Sequence, residues 1–371
     1  MADAEPTLAA GAPEPRAASL LVGHDDAERV LRQAWDSGRL AHAWLIHGPR
    51  GVGKATLAYR FARFVLAHGA FEKDALDPAK GLLGVSPESR LWRRIASGSH
   101  GGLFVLEPGY DEQRGRPRSE ITVDEVRRLV GFLTLTPGEG IWRVAIVDSA
   151  DALNRHAANA LLKMLEEPPA RVVFLLLSEN PSALLATLRS RCRRLALRPV
   201  GTSEIERLLR LHRPDLTGQA ARTLAEIADG SPGQAIELAE EEGAELFGAV
   251  FRLIGELPEL KTAAVHALAA RSSPRGRGTG ASRRLLELVL WWLARLVRQG
   301  ATGEWLPEVV PGERQLAQRL LGAAPLDRWV ALWEKLSAAL ADAERYNLDR
   351  KQIVLSAFLS LERAAQGRAA P

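Results

Sequence analysis

Ala43-Trp44-Leu45-Ile46-His47-Gly48-Pro49-Arg50-Gly51-Val52-Gly53-Lys54-Ala55-Thr56 is the stretch that decides the fold. Its first four residues are apolar and read as a short buried strand. The glycine-rich run 48–54 follows, and from Ala55 to about residue 67 the apolar spacing is helical. Strand, glycine loop, helix is the context in which G-x-x-x-x-G-K becomes a phosphate cradle. Backbone N–H groups and the helix N-terminus then face an anion, and Lys54 adds a mobile positive charge.

Working outward, residues 24–42 carry apolar positions at Val30, Leu31, Ala34 and Trp35 and predict an amphipathic helix that Gly38 helps to end. Residues 103–106, 142–147, 172–177 and 194–197 read as further short strands. Residues 121–133, 157–165 and 184–189 read as helices between them. Strands alternating with helices predict a doubly wound α/β domain over about 21–200. After Pro199 the pattern is helical, with three short helices over 201–242 and longer ones over 243–371, and 1–20 reads as a flexible tail. A basic loop, 272–280, carries Arg275 and Arg277. The tryptophans at 291, 292, 305, 329 and 333 are expected to pack between helices.

The phosphate loop departs from its pattern at one position. The residue after Lys54 should carry a hydroxyl that holds magnesium, and here it is Ala55. Thr56 sits about 100° further round the helix and does not replace it. The candidate nucleotide contacts are therefore Gly48, Gly51, Val52, Gly53, Lys54, Ala55 and Thr56, with Asp148 at the end of the 142–147 strand as a carboxylate. Ser149 stands where a water-activating base would be, and a hydroxyl is not a base at neutral pH. Two states stay open: ATP or ADP held without turnover, with or without Mg2+, or an inherited loop that remains empty. Ser178 and Asn180, after the 172–177 strand, are candidate phosphate sensors.

Four segments together carry a family resemblance: His47 to Lys54, Val147-Asp148-Ser149-Ala150-Asp151, the run from Asn159 through Leu165-Glu166-Glu167 to Pro168-Pro169, and Ser190-Arg191-Cys192. With these the chain resembles the clamp-loader AAA+ ATPases of bacterial DNA polymerase III, nearest to their delta-prime branch, convincingly over about 21–235. The resemblance implies a AAA+ parallel-sheet domain, a small three-helix lid and a C-terminal helical collar. It implies a place in a multi-subunit loader with gamma/tau ATPase subunits and a delta subunit, acting on a sliding clamp and primer-template DNA. Carried onto this sequence, Arg191 becomes an arginine finger that serves a neighbour's ATP. The hydrolysing relatives take an arginine from Gly-Ser-x-Arg in the lid, and here the residues are Gly230-Ser231-Pro232-Gly233. That third departure implies a subunit of a DNA-directed DNA polymerase holoenzyme with no ATPase activity of its own. The alternatives are a hydrolysing gamma/tau-type subunit, or a non-enzymatic adaptor or DNA-binding protein.

Over 371 residues the formal charge is +4, mild enough to accommodate nucleic acid without demanding it. One cysteine, Cys192, excludes an internal disulfide and any four-cysteine zinc module. The family's zinc module would fall in 70–100, which has no cysteine, so no zinc is expected, and His68 and His100 read as surface residues. Residues 285–297 are the most apolar stretch but contain Glu287 and Arg295 and are too short to span a bilayer. No membrane association and a cytoplasmic location are expected.

Overall fold

The computed structural model describes residues 14–69, 73–111, 116–134, 142–271, 280–346 and 350–367. It divides into two compact units, one of residues up to 208 together with 229–234, the other of 209–228 together with 235 onward.

The first unit is built on a five-stranded parallel sheet. Its strands are β1 (Ala43–His47), β2 (Leu103–Leu106), β3 (Arg143–Val147), β4 (Val172–Ser178) and β5 (Arg193–Ala196), in spatial order β2-β3-β4-β1-β5. The helices are α1 (Asp25–Asp36), α2 (Lys54–Gly69), α3 (Arg90–Ala96), α4 (Val123–Thr134), α5 (Arg155–Glu166) and α6 (Ala186–Arg191). β3 and β4 are buried along their whole length, as a sheet covered on both faces requires. Alternate residues feed opposite layers. Leu45, Ala145, Val147, Phe174 and Leu176 meet Val126 and Leu129 of α4 and Leu161 and Leu165 of α5 in one core. The fold class expected from the sequence, a AAA+-like parallel sheet joined to an all-helical region, is the one observed.

Register brings the chemistry to one edge. His47 lies beside Ser178, and Val147 beside both Leu106 and Leu176. The residues that follow these strand ends, namely Gly48, Glu107, Asp148 and Glu179, therefore gather at the carboxyl edge of the sheet, where ligands of open α/β sheets bind. The backbone stitches the edge: Gly48 N–H donates to Ser178 O at 3.2 Å, and Asp148 N–H to Leu106 O at 2.8 Å.

Residues 14–19, placed by the sequence within a flexible tail, are strapped onto α2. Arg63, only 1% exposed, donates to the carbonyls of Arg16 and Ala18, each at 2.8 Å, and its guanidinium lies 3.7 Å from the centre of the Trp92 ring. Burial is the main reason its pKa falls to about 9, with the like charge of Arg60 adding to it. Arg60 donates to Ser19 O, to Lys80 O at 3.0 Å and to Glu28 at 2.5 Å, in a pair that is almost wholly buried. The carbonyls of the strap thus find buried cationic donors, and unpaired they would be costly.

The histidine expectation fails. His100 is buried and its Nδ1 accepts from Gly102 N–H at 3.0 Å. His68 is half-buried against the Trp35 and Phe64 rings, with Nδ1 2.8 Å from Phe64 O. Neither stands free at the surface: His100 is held within its own turn, and His68 rests on aromatic rings of α1 and α2.

Small helices follow: α7 (Thr202–His212), α8 (Gly218–Ile227) and α9 (Pro232–Glu240). The unit boundary passes through α7 and α9. The second unit continues with α10 (Gly243–Gly255), α11 (Thr262–Arg271), α12 (Gly280–Thr302), α13 (Glu313–Ala323), α14 (Leu326–Tyr346) and α15 (Arg350–Ala365). Trp292, Trp329, Phe247 and Phe358 fill its interior, whereas Trp305 and Trp333 are more than a third exposed and do not belong to it. Arg275 and Arg277 lie outside the described residues. None of the described helices is long and apolar enough to cross a membrane.

Candidate functional site

The loop after β1 folds as its glycines require. Gly51 (φ +69°) and Gly53 (φ +114°) occupy backbone conformations that a side chain resists. Lys54 is the first residue of α2, and Ala55 and Thr56 follow it in the same half-buried turn. The Lys54 ammonium turns back to the loop, donating to Gly48 O and to Pro49 O, each at 2.8 Å, and stands 3.8 Å from Glu179. Burial lowers its pKa, while Glu179, Asp148 and Asp151 act in the opposite sense. Asp148 lies at the same edge. Its pKa is raised, first by burial and then by the nearby Glu107, with Lys54 opposing.

Asp151, not proposed as a site residue from the sequence, organises the end of β4. One of its oxygens accepts from the Ser178 hydroxyl at 2.7 Å, and the other from Glu179 N–H at 2.6 Å. Ser178 is fully buried, so its hydroxyl serves that link. The Asn180 side-chain oxygen accepts from Ser182 instead. His24 is the second omission. Its Nε2 lies 2.7 Å from Val52 O, anchoring the loop to the start of α1. Asp151 lies within the Val147–Asp151 motif and His24 within none, and local pattern does not specify a partner 27 or 28 residues away.

Residues 229–234 close against the loop. Gly233 N–H donates to Gly51 O at 2.9 Å, and Ser231 caps the following helix by accepting from Gln234 N–H at 3.1 Å. A Cβ on Gly233 would stand 3.0 Å from Gly51 Cα, and one on Gly51 would stand 2.3 Å from the Ser231 hydroxyl. Two glycines therefore permit a backbone contact at the position where the hydrolysing relatives are expected to carry an arginine.

Arg191 is the last residue of α6, a helix that ends two residues beyond the expected 189. Its guanidinium donates to Glu166 at 2.6 Å and to Thr187 O at 3.1 Å. Cys192 beside it is buried, and burial pushes its thiol from 9.0 to about 11. Among the described residues, no group of three or more His, Cys, Asp or Glu is arranged to hold a metal ion.

The model of the family described as "DNA polymerase III, delta subunit" matches residues 23–201, which contain the loop, Asp148 and Arg191. The delta-prime subunit of Pseudomonas aeruginosa DNA polymerase III is 39% identical over 192 residues, 52% of this chain and 54% of that protein. Over residues 23–201 the chain is similar to subunits of bacterial DNA polymerase III. The Bacillus subtilis delta-prime subunit is 30% identical over 236 residues, covering 63% of this chain and 64% of that one. The tau subunit of Escherichia coli is 29% identical over 235 residues, 61% of this chain and 33% of its own length. The chain thus spans between a third and two thirds of the length of these relatives. Among solved structures, a gamma subunit-related protein from Thermotoga maritima aligns over 92% of the chain at 16% identity and a TM-score of 0.45, too loose a likeness to carry an argument.

Proposed function

We propose that the chain is a delta-prime-type clamp-loader subunit that does not hydrolyse ATP and lends Arg191 to the ATP site of a neighbouring gamma/tau-type subunit. In that role it supports ATP-driven placement of a sliding clamp on primer-template DNA, beside a delta subunit. The observation that carries the reading is the make-up of the phosphate-loop edge. Ala55 offers no hydroxyl for magnesium and Ser149 no base for water, and Gly233 packs on Gly51 where an arginine would be needed. The remaining parts, Lys54 and Asp148, suit holding ATP or ADP without turnover: a cation for the phosphates and one carboxylate. Ser178 and Asn180 are less suited to sensing a phosphate, since their side chains serve Asp151 and Ser182.

The Arg191 guanidinium lies on another element, partly exposed and permanently charged. Such a group stabilises charge that develops on a transferred phosphoryl, a contribution that reaches about 1,000-fold or more in phosphoryl-transfer enzymes. It requires nothing from this chain's own loop.

The test is ATP turnover by a reconstituted loader holding wild-type chain or Arg191→Ala. Loss of roughly tenfold or more at the affected site, with the complex still co-eluting, is the expected result. Unchanged turnover would remove the finger. Turnover by the purified chain alone that disappears on Lys54→Ala would point to a hydrolysing gamma/tau-type subunit.

A further inference from the structure

Arg191 and Glu166 close the last turns of two helices that pack together, α6 and α5. The Arg191 side chain is not extended. One terminal nitrogen donates to the carbonyl of Thr187, four residues back on its own helix, and the other to Glu166 at 2.6 Å. A guanidinium grips a phosphoryl group best when two of its N–H groups point the same way in a fork. Here both terminal nitrogens are turned toward the chain itself.

We propose that Glu166 is a positioning residue that parks Arg191, competing with a neighbour's phosphoryl oxygens for the same N–H donors. The proposal rests on the reading of Arg191 as a finger. The exposure of the pair decides whether such a latch is reversible. The Arg191 and Glu166 side chains are 36% and 43% exposed, whereas the Arg60–Glu28 pair of the same unit is 7% exposed on both sides. Separating the buried pair would strand charges away from water. Separating the exposed one returns both groups to water, and exposed pairs of this kind bias an equilibrium by only about 1.5- to 5-fold. That is enough to draw part of the population back from a neighbour's triphosphate and too little to prevent the finger from engaging it. Thr187 O, a neutral acceptor, adds direction to the parked rotamer without a competing charge.

The experiment compares five loaders reconstituted with full-length chain: wild type, Glu166→Gln, Glu166→Asp, Arg191→Ala, and Glu166→Gln combined with Arg191→Ala. ATP turnover is measured across ATP concentrations. Glu166→Gln keeps the size of the side chain and removes its charge, so it should raise kcat about 1.5- to 5-fold and leave KM unchanged. Glu166→Asp, which retains a carboxylate, should stay nearer wild type, and the gain should vanish when Arg191 is also replaced. A Glu166→Gln loader with turnover equal to or below wild type, alongside a clear loss in Arg191→Ala, overturns the parking role while the finger stands. If Arg191→Ala itself changes nothing, the finger reading fails and the parking role falls with it. Co-elution of each variant with its partners separates these outcomes from misfolding.

Discussion

Gly51→Ala tests whether residues 229–234 are latched to the phosphate loop by fit. The added methyl group meets two obstacles. At φ +69° an L-residue sits in the left-handed region, at a cost of about 1–2 kcal/mol. The new Cβ would also lie 2.3 Å from the Ser231 hydroxyl and 3.2 Å from Gln234 N, so one side must move, at about 1–3 kcal/mol for overpacking. Displacement of residues 229–234 relieves the second obstacle, so the strain appears as opening of that segment. The Gly233 N–H, bonded to Gly51 O at 2.9 Å, reports it directly by hydrogen exchange. An opening penalty reduced by about 1–3 kcal/mol speeds exchange roughly 5- to 150-fold. Adding Ser231→Gly should restore most of the protection, because it removes the clashing hydroxyl and costs only a few tenths of a kcal/mol as a helix cap. Unchanged protection of Gly233 in Gly51→Ala, or no recovery in the double variant, would refute the account.

Arg63→Ala should destabilise the chain by about 2–4 kcal/mol, read as a lower urea midpoint, because two charge-assisted hydrogen bonds and the contact with Trp92 disappear together. Arg63→Lys should recover less than half, since a single ammonium does not reproduce the planar fork that meets Arg16 O and Ala18 O; full recovery would show that charge alone suffices. Alkylation of Cys192 depends on pH with a known sign. With the folded thiol raised from 9.0 to about 11, less thiolate is present below pH 9, so iodoacetamide should label the native chain about 100-fold more slowly than the urea-unfolded chain at pH 8. The difference should shrink as pH approaches 11, and equal rates at pH 8 would contradict a buried thiol.

Much of the sheet was legible because its strands are short apolar runs bounded by glycine, proline or acidic residues. Residues 103–106 were placed as observed, and the other strands within about one residue. Lys54 and Asp148 were placed by the strand that precedes each. What escaped was every contact that needs the chain to return on itself: Asp151 with Ser178, His24 with Val52, Glu166 with Arg191, and the cationic anchoring of residues 14–19. Local pattern carries periodicity but not partner identity. It therefore treated a strapped segment as a tail and two packing histidines as surface groups. The glycine at 233 was visible as a missing arginine, whereas its use as a close-packing surface was not.

The position of β1 also bears on how the chain is made. Ala43 pairs with Phe174, so β1 leaves the ribosome well before β4, the central strand it pairs with. With bacterial synthesis at about 5–20 residues per second, that interval is roughly 6–30 s. Throughout it Trp44, Leu45 and Ile46 lack their mates, so three side chains that end fully buried wait unpaired.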